Sequence, residues 1–241
     1  MSKKNNALGI SPQFGDGSEK TPFQISSLET LFWIAEDPSR WGYNYIQTAD
    51  INAIPTKTWF DGKGWKPIGN SSAAFTGIYN GNGKCIDGLL VNRSGNKCVG
   101  LFGRLGEYSL VDRLGLTNAT VTGDSYVGAL VGDNDLGTVS FCYSSGKICG
   151  TNNIGGLVGE NRGTISTCYS SGCVRGSYRI GGLAGENAGI VSACINTSNV
   201  NALTGVVGGL VGYNTDTIVS CSSTGSVKGT DCVGGLVGYN S

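Results

Sequence analysis

The sequence predicts an all-β chain wound into a parallel β-helix, a β-solenoid of about 26–27-residue coils with a short N-terminal capping helix. Three observations carry that expectation. A glycine-anchored segment recurs at near-constant spacing through the last two-thirds of the chain. Each recurrence is followed by two further short β-like pieces separated by Gly and Asn. Glycine supplies 41 of 241 residues with no G-X-Y period, which excludes collagen, while 39% hydrophobic residues argue against disorder.

The anchor runs Val127-Gly-Ala-Leu-Val-Gly132, Ile154-Gly-Gly-Leu-Val-Gly159, Ile180-Gly-Gly-Leu-Ala-Gly185, Val207-Gly-Gly-Leu-Val-Gly212 and Val233-Gly-Gly-Leu-Val-Gly238, with a diverged first copy at Cys98-Val-Gly-Leu-Phe-Gly103. Its leucines, Leu101, Leu130, Leu157, Leu183, Leu210 and Leu236, are 29, 27, 26, 27 and 26 residues apart. The second piece is Thr138-Val-Ser-Phe-Cys-Tyr-Ser-Ser-Gly146 and its copy from Thr164 to Gly172; the third is short, as in Lys147-Ile-Cys-Gly150 and Cys173-Val-Arg-Gly176. Pieces this short and rich in Gly do not make helices. One such unit cannot bury its own apolar side chains, but stacked units can, at ~4.8 Å per coil through parallel ladders.

Stacking turns the repeat into ladders. Leu130, Leu157, Leu183, Leu210 and Leu236 face inward. So do Cys142, Cys168, Cys194 and Cys221, in a slot that Leu114 fills one coil earlier, so the slot asks for a modest apolar group and reads as buried thiols. A third inward set is Val121, Ile148, Val174, Val200 and Val227. Cys98 is expected in an inward anchor slot. Cys149 and Cys173 should face out, on a diagonal of ~8 Å that exceeds disulfide range. Asn134, Asn161, Asn187, Asn214 and Asn240 form an amide ladder at a turn. The anchor glycines mark bends or places where backbone packs on backbone.

Asp133, Glu160 and Glu186 stand just before that amide ladder, followed in the same column by Tyr213 and Tyr239. Carboxylates ~5 Å apart match a retaining glycosidase pair, or Ca²⁺ ligands, but any stacked acids show this spacing. The expectation is a solvated turn edge. Tyr143 and Tyr169 should alternate outward beside the cysteines, and Tyr213 and Tyr239 form a second pair. Exposed aromatic rows stack on sugars or anchor protein partners. No residue is assigned to catalysis, to a metal or to a cofactor. The chain has no His, so no imidazole base, Ser-His-Asp set or H-E-x-x-H zinc site can form. With 17 basic and 17 acidic residues, neither nucleic acid nor an anionic membrane is expected as a partner. No apolar run reaches the ~18 residues of a membrane span, and no secretory h-region opens the chain.

The N-terminal third is read as a disordered or expression-derived leader over residues 1–13, a cap region over 14–74, and the start of the solenoid at Phe75, which runs to 241. The cap carries the one convincing helix, over 27–36. Ser26 is its expected N-cap, with Glu29 closing a capping box. Leu28, Leu31, Phe32 and Ala35 are its apolar face, and Pro38 follows its end. Trp33, Trp41, Trp59 and Trp65 should build a small core of the cap's own. Ile86 and Leu89 are expected to enter the first coil where Ile165 and Cys168 lie later. The chain stops about one-third into a repeat, so the natural protein is expected to continue.

The recurring Val/Ile-Gly-Gly-Leu-Val-Gly-(Glu/Tyr)-Asn, with its Ile165-Ser-Thr-Cys-Tyr-Ser-Ser-Gly172 partner segment, resembles the GLUG motif of bacterial secreted and surface proteins. The stretches Pro22-Phe-Gln-Ile25, Trp65-Lys-Pro-Ile-Gly69 and Phe75-Thr-Gly-Ile-Tyr-Asn-Gly-Asn-Gly83 are similar to the leader of such arrays. The first copy departs from the motif, with Arg104-Leu105 in place of the acid or Tyr and Asn. The resemblance implies an extracellular, non-catalytic β-helical repeat region, secreted or at the cell surface. It would act as an adhesin surface or stalk that engages a host or environmental glycan or protein on a side face. The alternatives are a polysaccharide-acting β-helix enzyme using the stacked carboxylates, or a purely structural spacer.

Overall fold

The computed structural model describes residues 7–241 and is a parallel β-solenoid of about six coils. The coil from Asn152 shows the plan: strands Asn152–Gly155, Val158–Asn161, Thr164–Ser166 and Tyr169–Gly176. This coil and the two before it have four strands where the sequence pattern suggested three; in the two coils after it the long strand is split, as Ile195–Asn196 with Asn199–Ala202 and Ser222–Ser223 with Val227–Lys228. The anchor itself breaks in two at Gly156-Leu157. The second piece breaks at Thr167, and its remainder fuses with the third into one long strand. Left-handed backbone makes that second break in every coil, at Arg113, Phe141, Thr167, Ala193 and Ser220, with φ between 50° and 55°.

Equivalent strands pair in parallel into four sheets, of eight, ten, six and six strands. The two six-stranded sheets hold the two halves of the anchor. They approach so closely that only glycine fits between them: a Cβ on Gly159 would lie 2.4 Å from the Val127 nitrogen, and one on Gly132 would lie 2.5 Å from that of Val99. The anchor glycines are therefore where backbone packs on backbone.

The ladders Leu130, Leu157, Leu183 and Leu210, and Cys142, Cys168 and Cys194, are buried. Cys221 and Leu236, in the last two coils described, are less buried; Leu236 is 38% exposed. All nine cysteines are free. The ladder thiols do more than fill space. The Cys142, Cys168 and Cys194 amides each donate to the sulfur one coil on, at 3.3–3.4 Å, and the thiols donate to Ser140, Ser166 and Ser192 carbonyls at 3.1–3.2 Å. Cys149 and Cys173 are half-buried and sit diagonally, in register with Arg175 and Lys147.

The parallel ladders begin ahead of Phe75, at Phe23–Ile25, which pairs with Asn44–Gln47 and through it with Ile78–Asn80. Tyr79, not Ile86, stacks in the column of Val111, Val139 and Ile165; Ile86 lies one sheet further along, beside Leu116. The long connection from Asn52 to Ile78 shifts the early pattern against the later repeat. The helix spans Leu28–Glu36 with Ser27, not Ser26, as N-cap. Thr30 rather than Glu29 closes the box: its amide donates to Ser27 Oγ at 3.3 Å and its Oγ1 accepts from the Ser27 amide at 3.0 Å. Phe32 packs against Trp59, Phe60 and Trp65, and Trp65 donates to the Leu101 carbonyl at 3.0 Å. The tryptophans thus join the solenoid's continuous core instead of forming a separate one. Residues 1–6 of the expected leader lie outside the described residues. The rest of it packs on the fold: Pro12 is buried and the Ile10 amide donates to the Glu29 carbonyl at 3.1 Å. No helix among the described residues is long and apolar enough to cross a membrane.

Candidate functional site

The Asn ladder forms as expected at the inner end of the second anchor strand. Asn134 donates to Asn161, Asn161 to Asn187, and Asn187 to Asn214, each at 2.7 Å, and Asn214 donates to Asn240 at 2.6 Å. Each amide also donates to a carbonyl of its own turn, as Asn134 does to Gly137 and Asn187 to Gly189. Asn134 Oδ1 is the exception: it is buried without a partner, because Leu105 occupies the register position one coil earlier.

Beside this ladder, Arg104, Asp133, Glu160, Glu186, Tyr213 and Tyr239 follow one another in strict register. The expected solvated edge is not found. Asp133 is 5% and Glu160 6% exposed. Three arginines and four carboxylates close over one another. Arg162 reaches Glu160 at 2.5 Å, Asp133 at 3.4 Å and Asp135 at 3.5 Å. Arg104 pairs with Asp135 and, at 3.4 Å, with Asp133. Arg179 pairs with Glu186 at 2.5 Å. Burial pushes the Asp133 and Glu160 carboxyls above their ordinary range, with Arg162 pulling the other way on both. The column then passes from charge to aromatic. The Arg179 guanidinium lies 4.3 Å from the Tyr213 ring centroid, and Tyr213 stacks on Tyr239 at 5.1 Å and 3°.

A second column faces the first, and repeat spacing did not reveal it. The residue before the anchor Val or Ile in the first four copies (Cys98, Tyr126, Asn153, Arg179) has left-handed backbone, φ 53–56°. This conformation is uncommon for residues other than glycine. It turns Asn153 toward Glu186, to which it donates at 2.6 Å, and places Arg179 on the same carboxylate. Cys98 belongs here and not in the anchor slot: Val99 pairs with Val127 while Phe102 pairs with Val131, so the first copy is one residue shorter. Its thiol is pushed up to about 11, chiefly by burial and then by Asp133. The available signal was the position itself, one residue ahead of the anchor, held by Cys, Tyr, Asn and Arg in the first four copies.

Between the columns runs a groove of about 440 Å³, bordered by Lys97, Tyr126, Asn153, Glu160, Tyr178, Arg179 and Glu186 among others. Tyr143 and Tyr169 are not part of it. They are register neighbours on the ten-stranded sheet, each 38% exposed. Tyr143 lies over Gly115, where a Cβ would fall 2.2 Å from the ring, and the Tyr169 hydroxyl bonds Thr197 at 2.7 Å.

The GLUG motif matches residues 204–228, consistent with a GLUG-motif repeat protein, and the anchor pattern of that stretch recurs in the other coils. Halomucin of Haloquadratum walsbyi is 38% identical over 150 residues, 60% of this chain and 2% of that protein. A "Putative Gly-rich membrane protein" of Evansella cellulosilytica is 35% identical over 125 residues, 50% of this chain and 14% of that protein. The chain therefore spans a small part of either relative. Among solved structures, a "putative immunoglobulin A1 protease" from Bacteroides ovatus superposes with a TM-score of 0.75 over 95% of this chain and 76% of that one. At 21% identity, that likeness speaks for the fold alone.

Proposed function

We propose that this chain is a non-catalytic repeat module of a surface or secreted protein, a rigid wall whose side faces meet partners outside the cell. One observation carries the non-catalytic part: each of Asp133, Glu160 and Glu186 is largely buried and is held by a partly exposed arginine. A glycosidase needs one carboxyl free to protonate a leaving group and another free to act as base or nucleophile. Carboxylates closed into an ion ladder instead join coil to coil, and removing one partner of such a buried pair is destabilising. The surface part is supported by the relatives, one named halomucin and the other a Gly-rich membrane protein. It is also supported by anchors in which two or three residues of every six are glycine, a backbone-on-backbone packing that suits a column.

The test has two arms. Incubation with a panel of plant, microbial and mucin-type glycans should release no reducing ends. Release that Glu160→Gln abolishes would overturn the non-catalytic reading. Antibody labelling of intact cells that express the natural gene product should detect these repeats from outside. Labelling only after lysis would overturn the surface assignment.

A further inference from the structure

We propose that the groove between the two columns binds an uncharged saccharide unit of a larger glycan, which rests on the non-catalytic surface reading and names the ligand of one face. The groove's volume of about 440 Å³ falls within the ~300–1,000 Å³ of small-ligand clefts. Its charges cancel, Lys97 and Arg179 against Glu160 and Glu186. A phosphate, sulfate or uronate would meet two carboxylates there, and a cationic ligand would meet two cations. A hydroxyl array suits such a lining, because each hydroxyl both donates and accepts: the carboxylates take its protons, and the ammonium and guanidinium donate to its oxygens.

Two further observations point to a ligand. Arg179 Nε is buried with no hydrogen-bond partner among the described residues, although the same guanidinium is held by Glu186 and lies against Tyr213. Arg104 Nε is unpartnered in the same way, but only the Arg179 guanidinium borders the groove, where a turn of the side chain would present Nε to an oxygen from outside. Glu160 is 6% exposed yet borders the groove, and its second oxygen has only the long 3.5 Å contact from Asn153. Tyr126 and Tyr178 stand two coils apart along the groove, ~10 Å by the coil rise, and Tyr178 is 42% exposed. Their rings supply the apolar surface on which the C–H face of a sugar rests.

The 241-residue chain should be titrated calorimetrically with neutral hexasaccharides (β-1,4-glucan, β-1,4-mannan, α-1,4-glucan) and with anionic ones (oligogalacturonate, hyaluronan). Melting curves confirm that each variant is folded. At least one neutral oligosaccharide should bind, and Tyr178→Ala and Glu186→Gln should each weaken it about tenfold. Tyr108→Ala, an exposed position remote from the groove, should leave it unchanged. Loss of binding in Tyr143→Ala/Tyr169→Ala with none in Tyr178→Ala would overturn the groove and move the site to the other sheet. Tighter binding of the anionic set would overturn the ligand class. No binding to any probe, with no turnover, would overturn the groove and leave the non-catalytic module standing; turnover would overturn that module as well.

Discussion

Replacing Asn161 by alanine should destabilise the solenoid far more than the same change at Asn134, although the two residues occupy equivalent positions. Asn161 is fully buried, accepts from Asn134 and donates to Asn187, both at 2.7 Å, and also donates to the Gly163 carbonyl at 3.2 Å. Asn161→Ala removes these three bonds and a fourth, longer one to the Ile190 carbonyl at 3.4 Å, each worth about 1 kcal/mol, and leaves Asn187 Oδ1 with only the Gly189 amide at 3.4 Å, for a total of about 4 kcal/mol. Asn134→Ala also removes bonds, to Asn161 and to Gly137. But Asn134 Oδ1 already lacks a partner, so the substitution only moves the orphan one coil along and should cost about 2 kcal/mol. At ~2–4 °C per kcal/mol for a chain of this length, the two melting temperatures should separate by about 5 °C or more. Repeat arrays can open coil by coil, so amide exchange in Thr164–Ser166 and Thr138–Ser140 should be followed beside the melts. Equal losses in the two variants would refute the claim that amide-to-amide bonding, and not simple side-chain volume, holds this edge.

Three other outcomes follow from the same coil. Gly159→Ala should cost more than about 4 kcal/mol or abolish folding, because its Cβ would lie within 2.4–2.5 Å of backbone atoms on three residues, whereas Gly95→Ala, with nothing within 4 Å, should be neutral in a urea melt. In native protein, a maleimide at pH 8 should modify exposed Cys232 quickly and leave Cys142, Cys168 and Cys194 intact until denaturation, as read by mass spectrometry. The Cys194 thiol, bonded to Cys168 and buried, is pushed up to about 12, so both access and ionisation protect it. Labelling of the ladder thiols in the native state would refute that burial. The buried acids predict an unusual pH response. Asp133 and Glu160 are raised in the folded chain, so above the ordinary carboxylate range (~4) the folded state holds protons that the unfolded state has lost. Their contribution is therefore present at low pH and is lost as pH rises through the folded values. Urea midpoints should increase on acidification from neutrality until the ordinary carboxylate range is reached, and Asp133→Asn with Glu160→Gln should flatten that slope. A midpoint that falls over this range in the native chain, unchanged by the two substitutions, would show that the arginines and not burial dominate.

Much of the column was legible because register in a solenoid is a property of the period. Leucines 26–27 residues apart must stack if coils do, and so must the asparagines and cysteines; the ladders of Leu157, Cys168 and Asn161 formed where spacing placed them. What spacing could not supply was the path within a coil. The break at Thr167 is a left-handed residue of a type with no turn preference, so the four-strand coil looked like three. The first copy misled for a related reason. Its Leu101 aligns with the later leucines, yet one residue is missing between Val99 and Phe102, and that slips Cys98 out of the core alignment and into the outer column.

The acidic column was misjudged for a reason that lies in geometry and not in composition. Stacked carboxylates at a turn look solvated when only their own strand is considered, since charge at a turn is ordinarily wet. What buries Glu160 comes from elsewhere: Arg162 folds back from two residues on, and Asn153 arrives from the facing sheet through a left-handed kink seven residues earlier. Neither partner repeats. The position before the anchor is Cys, Tyr, Asn and Arg in successive coils, and the position two after the acid is Asp135 in one coil, Arg162 in the next and Ala188 in the third. The repeat therefore encodes the frame, and the non-repeating residues at two fixed positions per coil encode what that frame presents. If so, exchanging Asn153 and Arg179 between their coils should keep the melting temperature within a few degrees while changing which ligands the groove accepts, and a collapse of the fold on that exchange would show that the two columns serve stability alone.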